Sequence, residues 1–267
     1  MRPNIASYKA SIDYSTLTDA ERGLGTLSDD AWLAPILKYN NIRHLLLPKY
    51  ASFAGSPTVV DYDHALATRF QWTAGRIVKS ASDAAWNSHD VFSFIISNTD
   101  LHFDSGTVPV ARTVIVAAAF NAAGLSATSS FLFSFYSGAS GLTNGQAFHQ
   151  ASGIVYIPAA GSSFTLPAAN VPAADVPAVY CADYDGVNTA HWYVNDPVTA
   201  KVASTSITGT PLTESDPSYG LRVGNGFGGS LSGFQGKMGP FILLEGVASA
   251  VQRADTMNAI KTRFAIS

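Results

Sequence analysis

Past residue 57 the chain reads as short runs in which apolar and polar side chains alternate with a period of two. TVVDYD, RFQW, GRIVKS, VFSFIIS, DLHF, VARTVIVAAAF, SFLFSFYS, AFHQA, GIVYIP, SFTLP, VPAVYCADY, NTAHWYVN, TAKVAST, YGLRVG and GPFILLEG are candidate strands. Gly, Asn, Asp, Ser and Pro punctuate them, as turns require. No helical period falls between them before the C-terminus, so alternating α/β organisation is excluded. Many short strands without intervening helices predict an all-β sandwich or barrel.

The two ends have a different pattern. In LTDAERGLGTLSDDAWLAPILKYNN, Thr18 and Ser28 are each followed by acids, the signature of a capped helix start. Trp32, Leu33, Ile36 and Leu37 then recur at helical spacing, and Asn40-Asn41 ends the run. IRHLLLPKYASFAGSPT reads as an extended connector. These features predict an N-terminal arm over residues 1–56 and a sandwich over residues 57–267. Such an arm buries little surface on its own, so it must pack on the sandwich or on a neighbour. At the other end Ser249 caps a helix whose Val251, Ala254, Met257, Ile260 and Ala265 share a face, with Arg253, Asp255, Lys261 and Arg263 turned away.

The segment VPAVYCADYDGVNTAHWYVNDPVTAKVAS predicts two hairpins in series. Asp185-Gly186 supplies the first turn and Asn195-Asp196 the second. In the strand between them Trp192 and Val194 face the core, and His191, Tyr193 and Asn195 face outward.

VYCADYDG, HWYVND, YGLRVGNGFGGSLSGFQGKMGPFILLEG and VQRADTMNAI, taken in order over residues 110–267, resemble the concanavalin A-like lectin/glucanase and laminin G-like domains. Asp196 stands where that family usually has Gly, and the family's occasional disulfide is absent. The resemblance implies an all-β fold: a two-sheet antiparallel jelly-roll sandwich, here with short N-terminal helices and a C-terminal helix.

Composition sharpens this picture. Charged residues make up 13% of the chain, about half the usual share. The shortage is local: residues 113–200 hold no Lys or Arg, and their acids are Asp175, Asp183, Asp185 and Asp196. Such a surface suits a face buried in an assembly or one exposed outside the cell. The net charge of −3 and the lack of a basic stripe argue against nucleic acid as partner. Cys181 is the single cysteine, which rules out an internal disulfide and a CxxC metal site. MRPNIASYKASIDYS has no apolar core of a signal peptide, and no apolar run is long enough for a membrane span.

The chemistry on offer is sparse. Some glucanases of the resembled fold set carboxylates in an E-x-D-x-x-E run, with ~5–5.5 Å between the pair in retaining enzymes. Here Asp61-Tyr62-Asp63 and Asp183-Tyr184-Asp185 have no neighbouring Glu, and Glu214 and Glu245 stand singly. His44, His64, His89, His102, His149 and His191 form no HxH or HExxH pattern. No metal site is therefore assigned. Asp183, Asp185, Asn188 and Asn195 offer oxygens near two turns, so calcium, which lectins of this fold often bind, is the alternative to no cofactor. GASG and GSSF are Ser-rich turns without a G-x-S-x-G motif. GNGFGG resembles GxGxxG but precedes no helix, so it reads as a loop of the sandwich. His191, Tyr193 and Asn195 remain as a candidate carbohydrate-binding face, unless the arm or a partner covers them.

Three functions fit. The first is a non-enzymatic bacteriophage virion component: a head decoration, fibre, tail or baseplate protein anchored through residues 1–56 and self-associating as a homo-oligomer such as a trimer. The second is an extracellular carbohydrate-binding lectin, adhesin or receptor-binding protein. The third is a glycoside hydrolase of the same fold.

Overall fold

The computed structural model describes residues 31–52, 58–61, 69–70, 77–94, 101–103, 109–127, 129–137, 145–209, 219–225 and 233–267. In chain order a 3₁₀ turn (Ala31–Leu33) and α1 (Ala34–Leu37) precede β1 (Ile42–Ser52), β2 (Thr58–Asp61), β3 (Arg69–Phe70) and β4 (Ile77–Asp83). A second 3₁₀ turn (Ala84–Trp86) leads to β5 (His89–Phe94), β6 (Leu101–Phe103), β7 (Arg112–Phe120), α2 (Ala122–Ser126) and β8 (Ser130–Ser137). Then come β9 (Gln146–Gln150), β10 (Gly153–Ala159), β11 (Ser162–Pro167), β12 (Ala178–Tyr184), β13 (Ala190–Val194), β14 (Val202–Ser204), β15 (Tyr219–Val223), β16 (Gly236–Glu245) and α3 (Ala250–Phe264).

Among the described residues the strands form two antiparallel sheets. The larger has ten strands, in the order β14-β13-β12-β7-β16-β1-β2-β3 with the β4–β5 hairpin joined to β16. The smaller has six, in the order β11-β10-β9-β8-β15-β6. This is the two-sheet jelly-roll sandwich that the alternation predicts, with the short N-terminal helix and the C-terminal helix in place.

The central strands of the larger sheet, β7, β12 and β16, are buried on both faces. Along β7, Val114, Val116, Ala118 and Phe120 point into the core between the sheets, while Ile115, Ala117 and Ala119 point into a second core. On β12, Tyr180, Ala182 and Tyr184 face inward and Val179 and Cys181 outward. The second core is closed by α1 and α3 through Leu33, Ile36, Met257, Ile260 and Phe264. A strand covered on both sides has no need of polar alternation, which is why VIVAAAF is continuously apolar.

Residues 42–52, read from sequence as a connector of the arm, are instead β1, which pairs with β16 on one side and β2 on the other. The boundary drawn at residue 56 thus leaves a strand of the sandwich on the arm side. Pro48 and the contiguous leucines hid it. The proline sits where the β1–β2 register shifts between Leu46 and Ala51, a place where a missing N–H costs no ladder bond. Pro240 occupies the corresponding irregularity of β16, where the strand changes partner from β5 to β1. The helix start at Thr18 lies outside the described residues.

The C-terminal helix departs from its predicted face. Ser249 does cap it, accepting a bond from the Gln252 amide at 3.1 Å. Met257 and Ile260 are buried as expected, but Val251 is exposed and Arg253 is buried. Arg253 reaches its place because its guanidinium finds carbonyl partners and an aromatic face, described below. A second buried cation, Arg112, lies within the sandwich. It donates to the carbonyls of Pro109, Val110 and Pro158 at 3.3, 3.0 and 2.7 Å and stacks near Phe135 and Tyr184.

The position of β1 yields a prediction. Deleting residues 1–50 removes Leu45, Leu46 and Leu47, all buried, and strips half of β16 of a partner. Each lost leucine costs about 2–5 kcal/mol, so together they rival the whole stability of an ordinary domain. The truncated chain should show no cooperative melt by circular dichroism. A cooperative transition in that chain would mean β1 is dispensable.

Candidate functional site

The face predicted from sequence is assembled on β12 and β13 but is largely covered. His191 Nδ1 lies 2.7 Å from Asp183 Oδ1, and the imidazole is 28% exposed while Asp183 is buried. Tyr193 is 6% exposed. The Arg253 guanidinium sits 3.9 Å from its ring centroid, held there by bonds to the Pro197 and Ala248 carbonyls at 2.6 and 3.3 Å. Asn195 adopts a left-handed φ of 55°, accepts from the Val179 amide at 2.8 Å and donates to the Ser267 carbonyl at 2.7 Å. The C-terminal helix and the residues after it cover this face. Tyr193 therefore offers no open ring for a sugar, and Asn195 is spent as a structural clamp.

Of the oxygens named for calcium, one of Asp183 faces His191 while its Oδ2 is buried without a hydrogen-bond partner, and one of Asp185 is taken by backbone amides. Asp185 Oδ1 accepts from the amides of Val187, Asn188 and Thr189 at 2.8–2.9 Å. Burial raises the pKa of its carboxyl, but these amides outweigh it and hold the carboxyl below its ordinary value. Among the described residues no three His, Cys, Asp or Glu side chains gather as metal ligands. Glu245 pairs with Arg43 at 2.6 Å. Asp63, His64, Glu214, GASG and residues 226–232 of the glycine-rich segment lie outside the described residues, as does the side chain of Asp61.

An open groove on the outer side of the larger sheet has the composition of a binding site. It measures about 570 Å³ and is lined by Trp32 and Pro35 from the N-terminal turn and helix, Asn87 and His89 from the β4–β5 hairpin, and Asp255, Asn258 and Arg263 among the residues of α3. Sites for small ligands usually combine an apolar bed with a few polar groups at this scale.

Beneath its Trp32 and His89 lies an aromatic cluster. Trp32, Trp86 and His89 each meet Phe264 edge to face, with ring centroids 5.9, 6.0 and 5.4 Å apart. Trp86 is fully buried and touches Gly239 so closely that a Cβ there would lie 3.0 Å from its ring. Trp32 is half-buried, so its ring is both fixed from below and available from the groove.

The hairpin wall is locked by Asp83. Its carboxylate receives Lys237 Nζ at 2.6 Å, Ser80 Oγ at 3.1 Å and the Ala85 amide at 3.1 Å. Asn87 then turns the chain with φ 54° and donates to the Arg263 carbonyl at 3.0 Å, tying the hairpin to the end of α3. Opposite, Asp255 is held by Lys38 at 2.7 Å and by the Tyr39 hydroxyl. Sequence reasoning placed Trp32 in a helix core and Arg263 on a solvated face. The Asn87-Ser88 pair beside Trp86 is the sequence signal that could have marked this region.

Asp183 gives a test of the covered face. Burial raises its pKa above the ordinary 3.8, against the opposing pull of His191 and Arg253. The folded state then holds this proton more tightly than the unfolded chain, so its contribution falls as pH rises from about 4. Asp183→Asn lacks that titration. In urea melts at a series of pH values its stability relative to the parent should improve from about pH 4 towards about pH 7. A flat difference, or one moving the other way, would contradict burial as the dominant influence on this carboxyl.

No protein-family model matches the sequence, and no curated protein matches it. Solved structures match in fold. Domain 4 of the AbnA extracellular arabinanase of Geobacillus stearothermophilus, in complex with arabinotriose, is 11% identical with a TM-score of 0.51, over 68% of this chain and 81% of that one. Trypanosoma rangeli sialidase in complex with sialic acid is 9% identical with a TM-score of 0.56, over 86% of this chain and 34% of that one. The ligand binding domain of botulinum neurotoxin serotype D, in complex with N-acetylneuraminic acid, is 8% identical with a TM-score of 0.56, over 86% and 53%. The chain thus spans about a third of the sialidase and about half of the toxin chain. At these identities the likeness concerns the fold alone. Strand order, antiparallel pairing and these matches together make the fold of this protein a concanavalin A-like jelly roll.

Proposed function

We propose that the protein is a non-enzymatic, lectin-like carbohydrate-binding module and that the groove between α3, the β4–β5 hairpin and the N-terminal turn holds the sugar. The observation that carries this reading is the pairing of a partly buried Trp32, braced on Phe264, with polar side chains along one wall. Sugars present apolar C–H faces to aromatic rings and hydroxyls to amides and carboxylates, and the groove supplies both. The matching folds include proteins solved with arabinotriose, sialic acid and N-acetylneuraminic acid, which favours this class of ligand. The absence of an enzymatic role is part of the proposal: Asp183 and Asp185 are engaged in His191 and backbone contacts rather than paired across a cleft.

Trp32→Ala should weaken binding of any oligosaccharide identified by glycan array by ~30-fold, the effect of losing a dominant anchor of about 2 kcal/mol. Trp32→Phe should fall between. Titration calorimetry checks both, with thermal melts to confirm folding. Unchanged affinity in a folded Trp32→Ala protein would remove the groove as the site.

A virion location with an oligomeric assembly is a second reading, supported by the charge-poor stretch over residues 113–200. It predicts that the protein co-purifies with particles. Recovery solely as a free monomer would end that reading, while the carbohydrate proposal would stand.

A further inference from the structure

The charges around the groove are unevenly balanced. At one end the Asp255 carboxylate is matched by Lys38, which approaches to 2.7 Å, and by the Tyr39 hydroxyl. On the hairpin Asp90 is matched by Lys79 at 3.5 Å. At the other end Arg263 lines the groove, and among the described residues its guanidinium has no carboxylate partner. Its backbone carbonyl is what Asn87 binds, so the side chain is not committed to the hairpin. Two further groups set the local field. Lys49 contributes positive potential at His89, as Arg263 does. His89 itself is held below its ordinary pKa, by burial first and by these cations second, so it is neutral near pH 7 and does not compete for an anion's counter-charge.

The groove therefore has an acceptor end at Asp255, an amide at Asn258 and a cationic end at Arg263, all on α3. Asp255 and Arg263 are eight residues apart, about 12 Å along the helix axis. That length accommodates more than one sugar ring. A neutral sugar would leave the Arg263 charge unused. A sugar carboxylate would meet it in a charge-assisted, planar, two-point contact that a lysine cannot reproduce.

We infer that the groove selects acidic oligosaccharides, with a sugar ring on Trp32 and a carboxylate on the Arg263 guanidinium. This deepens the carbohydrate-binding proposal and rests on it. The ligand class is a short chain containing a uronic-type or sialic-type sugar acid. The chemistry needed is one carboxylate per site plus hydroxyls for Asn258 and Asp255. Arg263 acts here as a specificity-determining residue, while Trp32 sets overall affinity.

The test uses the full chain and two matched probe pairs: digalacturonic acid with its methyl ester, and sialyllactose with lactose. Titration calorimetry at low salt should show at least one acidic member bound about tenfold or more tightly than its neutral counterpart. Arg263→Gln should bring the acidic probe down to the affinity of the neutral one, and Arg263→Lys should restore part of the preference. Added salt should erode the preference in the parent. Equal binding of acidic and neutral members, or a preference that survives Arg263→Gln, overturns the inference while leaving the groove as a sugar site if Trp32→Ala still weakens binding. Failure of both pairs to bind, or binding indifferent to Trp32→Ala and to Asn258→Ala in folded proteins, overturns the inference together with the reading beneath it. Asn258 is exposed, so its variant keeps the test decisive if Trp32→Ala does not fold.

Discussion

Burial of the central strands of the larger sheet on both of their faces is the constraint on which the rest of this molecule depends. β7, β12 and β16 carry apolar side chains alternately into the core between the sheets and into the core beneath α1 and α3. Each strand therefore contributes to two apolar clusters at once. Burying side chains of the size of Ile115, Met257, Ile260 and Phe264 stabilises by roughly 1.5–3 kcal/mol each, so the outer layer is integral to the fold. Without the helices the outer surface of the sheet would be a broad apolar patch of a kind soluble monomers rarely expose.

The outer layer also decides where a ligand can sit. α3 lies over β12 and β13 and is pinned there by Arg253, which spans the Tyr193 ring and the carbonyls of Pro197 and Ala248. The same packing that closes this face opens another. Phe264, at the end of α3, gathers Trp32, Trp86 and His89, and the gap above this cluster is the groove. The residues lining the groove, from the N-terminal turn, a hairpin and the C-terminal helix, are thus held on rigid elements far apart in sequence. Rigid support of this kind lowers the ordering cost of binding.

The legible part of the chain was the part governed by local periodicity. β8 spans the very run SFLFSFYS, and β13 is bounded by loops that open at Asp185-Gly186 and Asn195-Asp196, longer than two-residue turns but with Gly186 and Asn195 at positive φ. β1 escaped because a proline and a register shift interrupt its alternation, and its placement depends on β16, some two hundred residues away. What covers the β13 face lay beyond local pattern for a similar reason. His191, Tyr193 and Asn195 do share one side of β13, but what lies above them is set by a helix from the far end of the chain. Arg253 looked solvent-bound because charge predicts exposure only where no carbonyls and aromatic face await it.

By itself the sequence determined that most of this chain would be short antiparallel strands in two layers, flanked by short helices, with turns at fixed places. Those properties follow from side-chain alternation and from backbone preferences of single residues, which act over a few positions. The tertiary structure alone decided which outward-facing residues remain accessible. It buried Tyr193 beneath Arg253 and left Trp32 and Arg263 open, because accessibility depends on the packing of elements remote in sequence, and no local pattern encodes it.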